Sequence, residues 1–313
     1  MKEITLEELL EAGCHFGHQV IRSNPKARDF VFDARDNIQI IDLGKTKEGL
    51  EDAVRFIKDL ASNNGTLLIV GTKRQAQGIV LDVVTKARAK FVDGGGLYFI
   101  NSRWIGGVLT NFAEISKNIK KLKDLEQNLK DEEKKAKYTK KEIGEWEKKK
   151  QTLERLYGGI VGLKKNPSAL FIIDSNLEEI AVKEALRMGV PSVAIVDTNA
   201  DPFVVDYPIP ANDDAVGSIE LILSFILDAW EEGKKNLEAK KSQKEGAEAT
   251  KEEIVDKKPK VKSLPVIKAV EKKEKLKVEK PEIKEAGKVS KKELAKEATK
   301  VKAKAKEKKT KSK

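Results

Sequence analysis

Residues 102–112 read SRWIGGVLTNF and lie where two alternating strand and helix halves of the chain meet. Arg103 offers a planar guanidinium suited to phosphate, Trp104 offers a stacking face with one N–H donor, and the two glycines allow another chain to approach closely. A turn packed by an anchoring tryptophan explains the same residues equally well, because glycine pairs are ordinary in turns. The stretch alone therefore leaves an interface and a packed turn both open.

Short apolar segments on either side of this stretch alternate with amphipathic helices. The predicted strands are residues 38–41, 66–70, 97–100, 169–173 and 193–196, and the helices include residues 45–62 and 177–188. Strands that alternate with helices of this length imply parallel pairing through right-handed crossovers. The sequence therefore predicts an α/β fold, with a doubly wound, mainly parallel sheet flanked by helices and formed by residues 1–112 and 158–233.

Residues 113–157 interrupt this alternation with two helical patterns. Thr139 and Glu142 have the form of a capping box at the start of the second helix. Two helices of about 25 residues, joined near residues 136–138, predict an antiparallel coiled-coil hairpin. At about 1.5 Å per residue this arm would be roughly 35 Å long, which suits contact with a distant partner.

Residues 234–313 carry 29 lysines and 14 acidic residues, with no aromatic residue and no arginine. Such a segment cannot bury enough apolar surface to offset its ordering entropy, which predicts a disordered basic tail after a last helix that ends near Gly233. The charge of the remainder is uneven: residues 1–112 carry +1, residues 113–157 carry +4 and residues 158–233 carry −9. A polyanion is therefore expected on the first half or the hairpin, and the acidic part should face solvent or a basic protein.

Cys14 is the single cysteine, which excludes an intramolecular disulfide and fits a reducing compartment. No apolar run approaches the length of a bilayer span and no charged-then-apolar leader precedes the first helix, so we expect a cytoplasmic protein without a membrane partner. Cys14, His15 and His18 suggest a metal site, but structural zinc takes four ligands and nothing nearby in the sequence completes the set. Partly buried histidines are the preferred interpretation, and neither a metal nor a cofactor is predicted.

An enzyme or nucleotide-binding protein is the main alternative, because open α/β sheets bind ligands at the carboxyl ends of their strands. Gly71, Asp174 and Asp197 are expected there, but residues 71–78 lack the P-loop pattern and the glycines at 94–96 precede a strand instead of opening a helix. The two aspartates are candidates for a divalent ion, although Asp beside Asn is also ordinary helix-capping chemistry. We predict no enzyme, and the runner-up function is a nucleotide-sugar or phosphosugar-binding protein.

Several motifs follow one another in an order that carries a family resemblance. They are LEAGCHFGH (10–18), NPK (24–26), IIDLGKT (40–46), VGTK (70–73), RWIGGVLTNF (103–112), AIVDTNADP (194–202), DYPIP (206–210) and NDDA (212–215). Over about residues 1–232 the chain resembles the bacterial family of small-subunit ribosomal protein two. The resemblance implies a non-catalytic structural protein of the small ribosomal subunit, with an α/β sandwich and a protruding coiled coil.

The resemblance also implies the partners. Family members contact ribosomal RNA on the solvent side between head and body, and help to dock other small-subunit proteins, including the large mRNA-binding one. A cytoplasmic protein within the ribosome that is not a homo-oligomer is therefore expected.

The scattered cations suit contacts with phosphates and with RNA shape rather than with base sequence. The candidate RNA-contacting residues are Arg22, Lys26, Arg28, Arg35, Lys73, Arg74, Arg103 and Trp104. Around residues 22–35 a solvated surface loop would show almost the same pattern.

Overall fold

The computed structural model describes residues 3–132 and 137–255, and these form two sheets with helices around them. The strands are β1 (Phe16–Gln19), β2 (Val31–Arg35), β3 (Ile38–Ile41), β4 (Leu67–Val70), β5 (Leu97–Ile100), β6 (Ala169–Ile172), β7 (Ser192–Val196) and β8 (Tyr207–Pro210). The α-helices are α1 (Leu6–Glu11), α2 (Leu43–Ser62), α3 (Ala76–Ala89), α4 (Phe112–Lys130), α5 (Lys140–Tyr157), α6 (Glu179–Met188) and α7 (Val216–Val255). Short 3-10 helices span Val20–Arg22, Pro25–Phe30, Val92–Gly96, Gly158–Ile160 and Pro202–Val204.

The larger sheet has five parallel strands in the order β5-β4-β6-β7-β8, which confirms the predicted α/β class and the mainly parallel pairing. Leu67 and Ile69 of β4 pack into a core with α2, α3 and α7. Leu68 and Val70 pack into a second core with α4, α5 and α6 on the opposite face. All four residues of β4 are buried, because helices cover both faces of a sheet built from parallel crossovers.

The strand order places a switch point between β4 and β6. From β4 the chain moves outward to β5, and after the hairpin insertion it returns to pair β6 on the other side of β4. The carboxyl ends of β4, β6 and β7 therefore meet at one edge, where loops from both halves converge. This edge holds the carboxylate cluster described below.

The predicted strand at residues 38–41 exists, but it does not join the parallel sheet. It forms the centre of a separate antiparallel sheet in the order β1-β3-β2. Asp36 and Asn37 have φ angles of 50° and 62°, as a two-residue hairpin turn requires, and this turn directs the chain from β2 back along β3. Two further strands of this sheet, β1 and β2, were not among the predicted strands, and Phe32 of β2 is exposed.

Strand β8 was not predicted, because Pro208 and Pro210 lie within it and proline cannot donate a ladder hydrogen bond. Among the described strands it pairs only with β7, at the sheet edge, in parallel register with Ile195 opposite Ile209. An edge position leaves one side of the strand without a partner, so the missing N–H groups are tolerated there.

The inserted arm consists of α4 and α5, which are 19 and 18 residues long and therefore shorter than predicted. The capping box of Thr139 and Glu142 is confirmed. At the base of the arm Ile115, Ile119 and Leu122 are buried, and the Asn118 side chain donates to the Tyr157 hydroxyl over 3.2 Å. The coiled-coil character stays a prediction, and the join at residues 133–136 lies outside the described residues.

The last helix was predicted to end near Gly233, but α7 continues to Val255. Gly233 is a packing residue, since an added Cβ would lie 2.4 Å from the carbonyl oxygen of Lys58 on α2. Beyond it the Ala, Glu and Lys residues have high helix propensity, which sustains the helix past the predicted boundary. Residues 256–313 of the predicted disordered tail lie outside the described residues. Within the described chain no helix combines the length and the hydrophobicity needed to cross a bilayer.

Candidate nucleic-acid interface

The loop after β5 is held in place by Glu184 of α6. Glu184 Oε1 accepts hydrogen bonds from Trp104 Nε1 over 3.2 Å and from the Gly107 backbone over 2.7 Å. Its Oε2 accepts from the Leu109 backbone over 3.1 Å and from the backbone and hydroxyl of Thr110, each over 3.2 Å. One buried carboxylate therefore organises most of the segment 102–112.

The electrostatics of this carboxylate follow from its donors. Burial alone would raise the pKa of Glu184, but the backbone N–H groups of Gly107, Thr110 and Leu109 and the indole N–H outweigh burial and lower the pKa below its ordinary value. Glu184 could not be recognised from the sequence, because an acidic residue in an amphipathic helix looks like a solvated one. Its burial, at 9% exposure, appears only once α6 packs beneath the loop.

Trp104 and Arg103 take opposite roles in this loop. Trp104 is 6% exposed and belongs to the core that also contains Val108 and Leu109, so it does not present a stacking face to a ligand. Gly107 has a φ of 97°, which favours glycine and makes the turn possible. Arg103 is exposed. Trp104 and Gly107 therefore belong to a packed turn, and of these residues Arg103 alone remains a candidate for the interface.

The lowered pKa of Glu184 predicts that the stability of the fold depends on pH, and a comparison with Glu184→Gln should measure the part of this dependence that comes from Glu184. A carboxyl whose folded pKa is depressed stabilises the fold above its unfolded pKa, about 4.3 for glutamate, and loses that contribution as pH falls through the folded pKa. Wild type should therefore be clearly more stable to unfolding than Glu184→Gln at neutral pH, and this difference in the free energy of unfolding should become small in acid. Urea unfolding of both proteins across this range measures it, and a gap that is constant or widens in acid contradicts the account.

Arg103 lines a cavity of about 600 Å³ at the base of the arm, together with Arg155 of α5. The Ser102 hydroxyl donates to the Arg155 carbonyl over 3.0 Å and fixes the loop against the arm. Neither guanidinium has a carboxylate partner among the described residues. Two arginines that line one cavity and have no carboxylate partner within the described ranges are a favourable environment for phosphate oxygens. Arg155 was missed because lysines and arginines on a solvated helix look alike.

Four other candidate cations lie on the small antiparallel sheet and the 3-10 helices beside it. Arg22, Lys26, Arg28 and Arg35 are all exposed. Lys26 is 2.5 Å from Asp201 Oδ2, and Arg35 Nε is 3.7 Å from Asp33 Oδ2 in a largely exposed pair. Surface ion pairs of this kind contribute little to stability, so their cations can readily exchange the carboxylate for a phosphate.

Large apolar side chains share this surface with the cations. Ile21 is 93% exposed, Phe32 is 73% exposed and Phe203, which follows Asp201 on the neighbouring 3-10 helix, is 74% exposed. A surface that mixes exposed arginines with aromatic rings is typical of contacts with RNA or ribonucleoprotein. Arg74, at the start of the segment that leads into α3, is likewise exposed.

Lys73 differs from the other candidate cations because carboxylates surround it. Its Nζ lies 2.6 Å from Asp213 Oδ1, 2.7 Å from Asp214 Oδ1 and 3.2 Å from Asp174 Oδ2. The side chain is 15% exposed. This arrangement disfavours the predicted RNA contact of Lys73, since a phosphate would have to replace three carboxylates.

We call Lys73, Asp174, Asp197, Asp213, Asp214 and His18 the carboxylate cluster. Burial would lower the pKa of Lys73, but Asp213, Asp214 and Asp174 raise it. Burial, followed by the charges of Asp174 and Asp197, raises the pKa of Asp213, although Lys73 opposes this. The cluster therefore has more negative charge than its single ammonium balances.

Comparison with known proteins places the whole arrangement in a family context. The family model described as "Ribosomal protein S2" matches residues 9–233. A curated relative, the small ribosomal subunit protein uS2 of Geotalea uraniireducens (strain Rf4), is 48% identical over 233 residues, which cover 74% of this chain and 88% of the relative. The family match includes the parallel sheet, the arm, the small antiparallel sheet and the Glu184 loop.

Proposed function

This chain belongs to the ribosomal protein S2 family, and from that premise we propose that it is a structural constituent of the small ribosomal subunit that binds ribosomal RNA through its exposed arginines. The ribosomal part of this proposal rests on family membership. The exposed, carboxylate-free guanidinium groups of the Arg103 cavity carry the RNA-binding part of the proposal. The chain acts by shape and charge, and the proposal includes no catalytic step.

The first RNA surface of the proposal is the small antiparallel sheet. Arg22, Arg28 and Arg35 project from short elements that hydrogen bonds hold to the main body, such as the Asn24 backbone bond to the Thr198 carbonyl over 2.8 Å. Because these elements are fixed, only the arginine side chains lose entropy when they meet phosphates. The exposed Phe32 ring adds a stacking surface beside them.

The second RNA surface is the Arg103 cavity. A phosphodiester that enters between Arg103 and Arg155 would receive charge-assisted hydrogen bonds from both sides, because one guanidinium comes from the β5 loop and the other from the arm. Glu184 contributes indirectly, since it fixes the backbone that carries Arg103. The arm base and the loop together would thus position the protein on the RNA backbone.

Replacing Arg103 with alanine should weaken incorporation into small subunits roughly tenfold, as expected when one charge-assisted hydrogen bond is removed, and should leave the fold intact because the side chain is exposed. Competition with wild-type protein for small subunits that lack this protein, measured by co-sedimentation, checks the prediction. Arg55→Ala, an exposed arginine of α2 outside the proposed RNA and protein surfaces, is the matched control and should compete like wild type. Equal competition by Arg103→Ala would assign the loop to packing alone.

Protein partners are proposed for the acidic part, residues 158–233. Leu177, Ile180, Leu186 and Met188 are exposed around α6, on a segment whose net charge is strongly negative. An acidic surface with exposed apolar side chains suits a basic neighbour, and ribosomal proteins, including the large mRNA-binding one, are the proposed neighbours. The proposal assigns the chain to the ribosome as a single copy rather than to a homo-oligomer.

Ultraviolet crosslinking of intact small subunits, followed by mass spectrometry, tests both surfaces at once. RNA-linked peptides are expected from residues 20–35 and 102–107 and from the α5 segment that contains Arg155. Peptides around α6 should instead link to proteins when a chemical crosslinker is used. RNA links concentrated on α6, with none on the first two surfaces, would reverse the proposed orientation.

The carboxylate cluster argues against a nucleotide-sugar or phosphosugar ligand. Doubly wound sheets bind such ligands at the carboxyl ends of their strands, and there this chain places Asp174, Asp197, Asp213 and Asp214. Three of these acidic side chains lie within 3.2 Å of Lys73 and the fourth lies beside His18, and together they repel a phosphate group. A thermal-shift screen with nucleotides is accordingly expected to show no stabilisation.

A further inference from the structure

Gly106 lines the Arg103 cavity, and it is a glycine that the fold itself does not require. Its φ lies outside the positive range that Gly107 needs for the turn. Apart from its chain neighbours, a Cβ added at Gly106 would meet one atom within 4 Å, Glu184 Oε1 at 4.0 Å, so a side chain could be placed there without a clash. Glycine also loses more conformational freedom on folding than other residues. The missing side chain therefore serves to keep the cavity open.

The cavity is larger and less polar than a phosphate group requires. Its volume of about 600 Å³ falls within the range of sites that hold a small molecule, roughly 300–1,000 Å³. Ile105 and Leu156, both half-buried, line it together with the two guanidinium groups. Phosphate oxygens are bound by charge and hydrogen bonds, and an apolar wall adds nothing to that binding. A flat group with apolar faces would use such a wall, and in RNA that group is the base.

Gln77, in the first turn of α3, supplies a polar atom for the edge of a base. Its Nε2 donates to the Thr72 carbonyl over 2.8 Å, and its own backbone carbonyl accepts from Asn101 Nδ2 over 3.4 Å. Its Oε1 accepts no hydrogen bond from any residue within the described ranges. Every RNA base carries an N–H donor on its Watson–Crick edge, and proteins read unstacked bases on this edge. The Gln77 oxygen is therefore a suitable acceptor for one base.

Both walls of the cavity are held in place before any ligand binds. On the arm side, the Ser102 hydroxyl donates to the Arg155 carbonyl over 3.0 Å. On the loop side, Glu184 accepts from the Trp104 indole and from the Gly107 backbone. A ligand that enters a preformed cavity loses little free energy to ordering the protein. RNA-binding proteins take single unstacked nucleotides into sites of this kind and stack the base on an aromatic ring or a guanidinium plane.

We propose that the Arg103 cavity binds one unstacked nucleotide of ribosomal RNA, with its phosphate between Arg103 and Arg155. The base would lie against Ile105 and Leu156, and Gln77 would accept a hydrogen bond from its edge. This inference rests on the proposed function, because it presupposes the RNA contact of Arg103, and it extends that contact from the backbone to a base. The cavity would thus add a choice of nucleotide, which phosphate contacts alone cannot provide.

Gly106→Leu would fill the cavity and leave both arginines in place. In competition with wild type for small subunits that lack this protein, measured by co-sedimentation, this full-length variant should bind at least about fivefold more weakly, the lower bound for losing one stacked base. Gln77→Ala should also weaken binding, and it keeps the test valid if circular dichroism shows that Gly106→Leu fails to fold. Gly144→Leu is the matched control and should compete like wild type, since a Cβ added at Gly144 also meets no atom within 4 Å and this position of α5 lies outside the cavity.

Ultraviolet crosslinking of small subunits reassembled with excess protein identifies the base. One nucleotide should be linked to the peptides that contain Ile105 or Leu156, and this link should be lost in Gly106→Leu while links to residues 20–35 persist. Unchanged competition by both cavity variants, while Arg103→Ala binds more weakly, would overturn the base site and leave a phosphate contact, so that the proposed function would stand. Absence of RNA links from the whole wild-type chain would instead overturn the proposed function, and the base site with it.

Discussion

Glu184→Ala should lower the free energy of unfolding by about 3–5 kcal/mol, the range expected when one partner of a buried charged network is removed. Alanine leaves the Trp104 indole, the backbone N–H groups of Gly107 and Leu109, and the Thr110 backbone and hydroxyl without their acceptor. Trp104 and Leu109 are buried, so water cannot replace the lost acceptor for the indole N–H and the Leu109 backbone N–H. Urea unfolding followed by circular dichroism measures the difference.

Glu179→Ala supplies the control for this prediction. Glu179 lies on the same helix, is 66% exposed and, among the residues that the structure describes, forms one ion pair, an exposed i, i+4 contact with Lys183. Its replacement should change stability by no more than about 0.5 kcal/mol. If Glu184→Ala were as stable as Glu179→Ala, the five hydrogen bonds would not be what holds the loop.

The triple variant Arg22→Gln, Arg28→Gln and Arg35→Gln should bind small-subunit ribosomal RNA at least about 100-fold more weakly, because it removes three charge-assisted hydrogen bonds that are each worth about 1–1.4 kcal/mol or more. The plot of log affinity against log salt should also become shallower, by about one unit for each phosphate that the variant no longer neutralises. Glutamine keeps part of the side-chain length and all three sites are exposed, so the fold should be retained. Filter binding at several salt concentrations measures both quantities.

A second triple variant tests whether position or only charge matters. Arg55, Lys183 and Arg187 are exposed cations outside the proposed RNA surfaces, and their replacement by glutamine removes the same charge. This control should bind RNA almost as tightly as wild type and keep the same salt dependence. Equal weakening in the two variants would mean that the chain binds RNA through its net charge alone.

The parallel sheet was predictable from sequence because its strands are apolar on both faces. Residues 67–70, 97–100 and 169–172 are buried runs between amphipathic helices, and such a pattern has few alternative folds. The Thr139 capping box was equally clear, because its hydrogen bonds are local and depend on residues three apart. Elements that depend on local hydrophobic pattern or local hydrogen bonds could thus be predicted directly.

Elements that depend on distant partners could not be predicted in this way. The strand at Ile38 looks like any apolar strand, and only its pairing with β1 and β2 places it in a separate antiparallel sheet. The two prolines of β8 argue against a strand unless its edge position is known. Gly233 has the form of a helix stop, but here it lets α7 approach α2 closely.

In the candidate site, too, local features could be predicted from the sequence and contacts between distant residues could not. The sequence indicated Arg103 as a candidate contact, but it placed Trp104 beside it on the interface, because the burial of an indole depends on what packs against it. Glu184 and the group of His18 with Asp213 join residues that are about 80 to 195 positions apart, and no local spacing signals such contacts. Lys73 looked like a free cation for the same reason, since its three carboxylates come from other loops.

Sucrose-gradient fractionation of growing bacterial cells that carry the tagged full chain in place of their own protein of this family tests the central claim most directly. The account predicts that the chain sediments with small subunits and with complete ribosomes, and that the Arg22, Arg28 and Arg35 triple variant shifts toward the top of the gradient. Wild-type chain found mainly at the top, free of ribosomal particles, would contradict the account.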